Sequence, residues 1–295
     1  LVRRSLSSKV TYRIDYIGHV MTHAKTTLLL ITLSICFSDV LRAQETERSP
    51  NRSASVSSRA RDKVLATLPP IRSFLNAPSD RFLVDLDVVR SGHPYKGKDA
   101  RRPHTGGHIY FKRPEKPVTA AEVNRFPAIY AVADGVITRI DYSFRLREIK
   151  VSDSRRRASN TRYGIGLMFA TSAGKGISMH YSIEPFTDPG AEEFYRSFIF
   201  VEVGQRVKKG DIIARMYLPA DPLINQNTHI HFNLMGGPKN TFQSPSIFDK
   251  RIVRRFHATW DERRGSDDGT LIPACMGYKL TPDENPFSSG AMETL

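Results

Sequence analysis

Cysteine is nearly missing from these 295 residues: Cys36 and Cys275 are the only two. Cys36 sits in an apolar N-terminal run that reads as a removable signal, and once that run is gone Cys275 has no intrachain partner. A disulfide framework and a cysteine-based metal site are thereby excluded, so stability has to come from the core. A long hydrophobic run is missing too, since the apolar stretch at residues 28–37 is too short for a comfortable transmembrane helix. Acidic residues are scarce: 30 Asp plus Glu against 44 Lys plus Arg leave a formal charge of +14. That balance favours a polyanionic partner, whether nucleic acid, anionic lipid or acidic cell-wall polymer, and does not choose among them. The densest basic run, Arg155-Arg156-Arg157, reads as a polar loop without base-stacking neighbours, so a nucleic-acid module is not expected.

Taken in order, residues 1–20 read as an upstream segment ahead of a start at Met21. Residues 21–43 then have the parts of a secretory signal: Lys25, the apolar run, and Ala43 before Gln44 as a small residue for cleavage. Export to the periplasm or the outside, with no membrane span left after cleavage, is the expectation. Residues 44–80 form a linker and lead-in, of which 44 to about 62 are Ser, Arg, Glu and Asn with little to bury, as in a flexible tether. A main domain is expected over 81–234, beginning with a strand at 81–89 rich in β-branched residues. From 104 to 234 short apolar runs alternate with turn signals and no helical period of useful length appears, which predicts a mainly antiparallel β domain. Residues 128–140 read as two strands joined at Asp134-Gly135, residues 164–169 and 176–181 as a hairpin, and residues 203–214 as two short strands around Lys209-Gly210. Residues 235–295 form a mixed C-terminal extension with helical potential at 246–260 and a short apolar segment at 272–278.

The chemistry concentrates in histidine. In Thr228-His229-Ile230-His231-Phe232 a strand would send both imidazoles to one face and Ile230 and Phe232 to the other. Upstream lie His104-Thr105-Gly106-Gly107-His108, Ala133-Asp134-Gly135-Val136, Tyr163-Gly164, a lone His180, and a Val-Gly-Val-Gly-Ile series over 203–213. Read singly, each has an ordinary structural meaning: polar residues of a glycine-rich loop, a turn, a strand-face histidine, and Met179 as core filler.

In this order the motifs resemble those of the lysostaphin-type, or LytM-type, zinc endopeptidases, which cut peptide cross-links in bacterial peptidoglycan. The resemblance covers roughly 130 residues, a domain-sized length. It implies the duplicated hybrid motif fold, Zn2+ as cofactor, peptidoglycan peptides as partners, His104 and His231 as metal ligands, and His180 and His229 as catalytic groups flanking the reacting water and the scissile carbonyl. The chain departs from the family at the third ligand, where the family has Asp and this sequence has His108. Imidazole is a competent zinc ligand, and three histidines plus water is a known catalytic arrangement. A register slip of two residues would instead put Tyr110 in that place, and Asp99 after His93 has the wrong spacing. The leading expectation is an exported zinc metalloendopeptidase. The alternatives are a catalytically degenerate member acting as a wall-binding or hydrolase-regulating module, and a zinc hydrolase with a protein substrate outside the wall. The insertion between His180 and Val203, with residues 186–190 and Phe194-Tyr195, is expected to form a loop near the site that sets specificity.

Overall fold

The computed structural model describes residues 52–74, 81–95, 106–150, 157–187, 192–237, 241–243, 247–260, 278–280 and 292–294, all within one unit, Pro50–Leu295. The strands are β1 (Arg52–Ser55), β2 (Val89–Tyr95), β3 (Gly106–Phe111), β4 (Ala128–Tyr130), β5 (Gly135–Lys150), β6 (Arg157–Ser172), β7 (Lys175–Glu184), β8 (Phe186–Thr187), β9 (Arg206–Val207), β10 (Ile212–Arg215), β11 (His229–Gly236) and β12 (Thr241–Gln243), with a separate pair of β13 (Tyr278–Leu280) and β14 (Met292–Thr294). Among the described residues helices are few: α1 (Ser58–Leu65), the single turn α2 (Pro222–Asn225) and α3 (Lys250–His257). The protein is mainly antiparallel β, as its period-2 patterning predicts. Among the described residues no helix is long and apolar enough to cross a membrane.

The main sheet runs β1-β5-β6-β7-β11-β3-β2, every neighbour antiparallel. Alternation gives it one dry face: Ile165, Leu167 and Phe169 of β6, Ile177, Met179, Tyr181 and Ile183 of β7, and Ile230 and Phe232 of β11 are fully buried. Each such side chain stabilises the fold by about 2 kcal/mol. Val253 and Phe256 of α3 join the same core, where Phe256 lies 5.0 Å from Phe82 and 6.2 Å from Phe232. Two buried tyrosine hydroxyls bridge to the small sheet β4–β10 and its corner. Tyr163 donates to the Arg215 carbonyl at 2.7 Å, and Tyr181 accepts from the Val132 amide at 3.0 Å.

Several local expectations change. The 164–181 hairpin forms, turning at Ala173 and Gly174 with φ of 45° and 71°. Asp134-Gly135, in contrast, closes no hairpin: β4 pairs with β10, while β5 enters the main sheet beside β9. Two chain corners dock on each other there, because Asp134 accepts from Lys208 Nζ at 2.8 Å and from the Lys209 amide at 2.9 Å, while the Gly210 amide donates to the Ala131 carbonyl at 2.8 Å. The strand expected at 81–89 begins only at Val89. Phe82, Leu83 and Val84 are buried in succession, which a half-exposed strand could not achieve, and a 3-10 turn, Leu86–Val88, follows. Part of the supposed tether is structured as β1 and α1, with Ser57 capping the helix. The insertion contributes Phe186, Tyr195 and Phe198 to the interior rather than forming a surface loop throughout. The signal segment, Asp99, His104, Arg155-Arg156 and residues 272–277 lie outside the described residues.

Burial alone pushes His257, at the end of α3, from its ordinary 6.5 down to about 3. A base whose folded pKa is lowered is protonated first in the unfolded chain, so its stabilising effect is whole above pH 6.5 and is lost as pH falls toward 3. At pH 5 the loss is roughly 2 kcal/mol. Unfolding free energies from urea titrations at pH 7 and pH 5 should therefore converge by about that amount in His257→Phe, and an unchanged gap would refute the assignment.

Candidate functional site

The polar face of the main sheet, much of it buried, carries the histidines in rows set by strand register. One row crosses six strands as His93, His108, His231, Ser182, Gly164 and Asp141. The next row toward one end holds Ser91, Tyr110, His229 and Glu184, and the row toward the other holds Gly106, Asn233, His180, Gly166 and Arg139. His231 stands directly opposite His108, with ring centres 4.8 Å apart. Tyr110 faces His229 instead, at 5.1 Å, so the register is not slipped by two.

Burial first, with the charges of Arg162 and Arg139 behind it, pushes His180 down to about 4 against the opposing pull of Asp141 and Glu184. Burial also takes His231 to about 4, although Glu184 pulls it upward. Both are therefore neutral at pH 7, the form in which imidazole accepts a proton or binds a metal. Asn233 Nδ2 lies 3.2 Å from His231 Nε2, a donor facing that nitrogen's lone pair. His229 is held at both ends: Nδ1 donates to the Asn227 carbonyl at 2.7 Å, and Nε2 is 3.3 Å from Glu184 Oε2. Burial raises the Glu184 carboxyl, but the contact with His229 and a 3.1 Å hydrogen bond from Ser182 Oγ outweigh it and hold the group below its ordinary 4.5. Such a carboxylate–histidine pair fixes ring orientation.

Of the residues singled out in the sequence, His108, His180, His229 and His231 thus share one face, and His104 lies outside the described residues. Comparison with protein-family models, curated proteins and solved structures returns no match. The site has to be read from its own geometry.

Among the described residues no three His, Cys, Asp or Glu side chains form a group that could hold a metal ion. What is described is a pair, His108 and His231. Its chemistry suits zinc, with two imidazole donors on adjacent strands and one of them kept neutral by burial. A complete set needs a third donor from beyond these residues, and His104, four positions before His108, is the one the sequence offers. Residues to which the sequence assigns no role surround the pair. His93 stacks on His108 at 4.3 Å, Glu184 orients His229, and Asn233 faces His231. Glu184 had a signal: Ser178, His180, Ser182 and Glu184 alternate with four fully buried apolar residues along β7.

Proposed function

We propose that the chain is a zinc-dependent metalloendopeptidase of the lysostaphin type, exported and acting on peptide cross-links of bacterial peptidoglycan. The observation that carries this reading is the register that sets His231 of β11 opposite His108 of β3, with His180 and His229 in the rows on either side. In it His104, His108 and His231 hold the metal. Zinc, when bound, supplies Lewis acidity toward water and toward a carbonyl group. His180, held neutral at pH 7 by burial and by Arg162 and Arg139, offers a free lone pair to a reacting proton, though the same surroundings make it a weak base. His229, clamped by Glu184 and the Asn227 carbonyl, presents a fixed ring edge beside the pair.

A second reading, a wall-binding or regulatory module without hydrolysis, draws on the neutral histidine where the family carries aspartate and on both nitrogens of His229 being engaged. Zinc content of the purified protein by elemental analysis, beside His108→Ala, separates the two. One zinc per chain, lost or sharply weakened in the variant, together with digestion of purified peptidoglycan, is the expected result. No zinc after loading and washing would overturn the peptidase reading, and zinc retention without cleavage of wall or peptide would favour the module.

A further inference from the structure

On the His180 side of the site the polar face deepens into a cleft of about 490 Å³, which His180 helps to line and His108, His229 and His231 do not. Its wall is the N-terminal segment. β1 pairs with β5, the Val56 amide donates to the Thr138 carbonyl at 3.0 Å, and the Thr171 amide donates to the Pro69 carbonyl at 2.9 Å, so the segment is fastened to the sheet on both flanks of α1. Its floor is β6, where Gly166 lines the cleft. A Cβ built on Gly166 would come within 3.3 Å of Arg139 Cβ, and one on the neighbouring Gly164 within 3.3 Å of His180 Cε1 and 3.2 Å of Asp141 Oδ2. The missing side chains keep the space open.

The lining is strongly basic. Arg61 of α1, Arg139 of β5 and Arg162 of β6 face it, against Asp141 as the single carboxylate. Asp141 is engaged from below: Arg139 Nε donates to its Oδ1 at 2.9 Å, and its side chain is only 5% exposed while that of Arg139 is 59% exposed. Three guanidiniums around one buried carboxylate leave a surplus of positive charge. Guanidinium forks match a planar carboxylate in two-point fashion. From β11 to β5 is three strand spacings, about 14 Å, or roughly four residues of extended peptide. A chain lying across the strands with its reacting bond at the His108–His231 pair thus reaches the cleft within one short peptide.

We propose that this cleft is a subsite that seats a carboxylate of the substrate peptide on Arg61, Arg139 and Arg162. The inference rests on the peptidase reading for the substrate's nature but not on turnover, so the two can fail separately. The test is calorimetry on the full chain, metal-loaded and metal-free, with acetylated pentapeptides carrying one free carboxylate, at the C-terminus or on a Glu side chain, and their carboxamide counterparts. At low salt the carboxylate forms should bind at least tenfold more tightly, and the preference should fall to within twofold in Arg61→Gln, whose exposed position spares the fold, as thermal melting verifies. The preference should also shrink as salt rises. Equal binding of the paired peptides, binding of neither, or a preference untouched in Arg61→Gln overturns the proposal. Inorganic phosphate that binds as tightly as the peptide and displaces it would make this a site for small free anions and likewise overturn it. Preference without hydrolysis by the metal-loaded protein removes the peptidase reading and leaves the subsite standing; hydrolysis without preference does the reverse.

Discussion

Gly106→Ala is expected to dismantle the site without altering a histidine. A Cβ at this position would stand 1.7 Å from the Phe232 carbonyl oxygen and 2.8 Å from the Asn233 Cα, both backbone of β11, so no side-chain rotation can relieve the contact. Either β3 or β11 must move, and their pairing is what sets His108 opposite His231. The expected cost is about 3 kcal/mol or more, at the upper end for a small-to-large change, because the obstacle is a strand and not a deformable core. Gly174→Ala is the comparison: nothing lies within 4 Å of its Cβ, and the penalty is the positive φ of 71° alone, about 1 kcal/mol. Urea denaturation of the two variants, read beside zinc content, checks this. Equal midpoints for both would show that the β3–β11 contact is looser than described.

His231→Ala should behave in the opposite way, losing function while keeping the fold. The ring sits on the polar face of the sheet, stacked on His108 and beside Asn233 of its own strand, so the core face of Ile230 and Phe232 is untouched. Metal-free stability should change by about 1 kcal/mol, the worth of one hydrogen bond. Under the peptidase reading zinc retention should be lost and peptide hydrolysis should fall more than about a hundredfold, since disturbing even residues that merely orient ligands costs up to that much. Unchanged hydrolysis in this variant would remove His231 from the metal centre.

How far the sequence reaches can be traced in particular residues. Strict alternation along β7 and β11 is enough to send Met179, Tyr181, Ile230 and Phe232 inward and His180, His229 and His231 to the other face, because side-chain period is a local property. The 164–181 hairpin is legible for the same reason. Pairing between distant strands is not local, which is why Asp134-Gly135 read as a hairpin when it is a corner between two sheets. Its partner corner at Lys208-Lys209 lies over 70 residues away, and nothing in either stretch alone names the other. His93, set aside in the sequence because its spacing to Asp99 does not fit, reaches the site because β2 pairs with β3 in a register that puts it beside His108. Arg61 was hidden by composition, since eight polar-rich residues that suggest a tether fold as a helix once β1 has somewhere to pair.

The place of β11 in the sheet bears on how the molecule comes into being. Four strands, β1, β5, β6 and β7, lie on one side of it and two, β2 and β3, on the other, so the late strand is the seam between two earlier assemblies. Until residue 236 is available, β7 and β3 each present an open edge, and His108 has no opposite number. On the β3 side the closing contacts join residues more than a hundred positions apart, the kind of long-range pairing that slows folding. A chain with both assemblies formed but the seam open would leave His108 without its opposite number and, with two unpaired strand edges, would be exposed to aggregation.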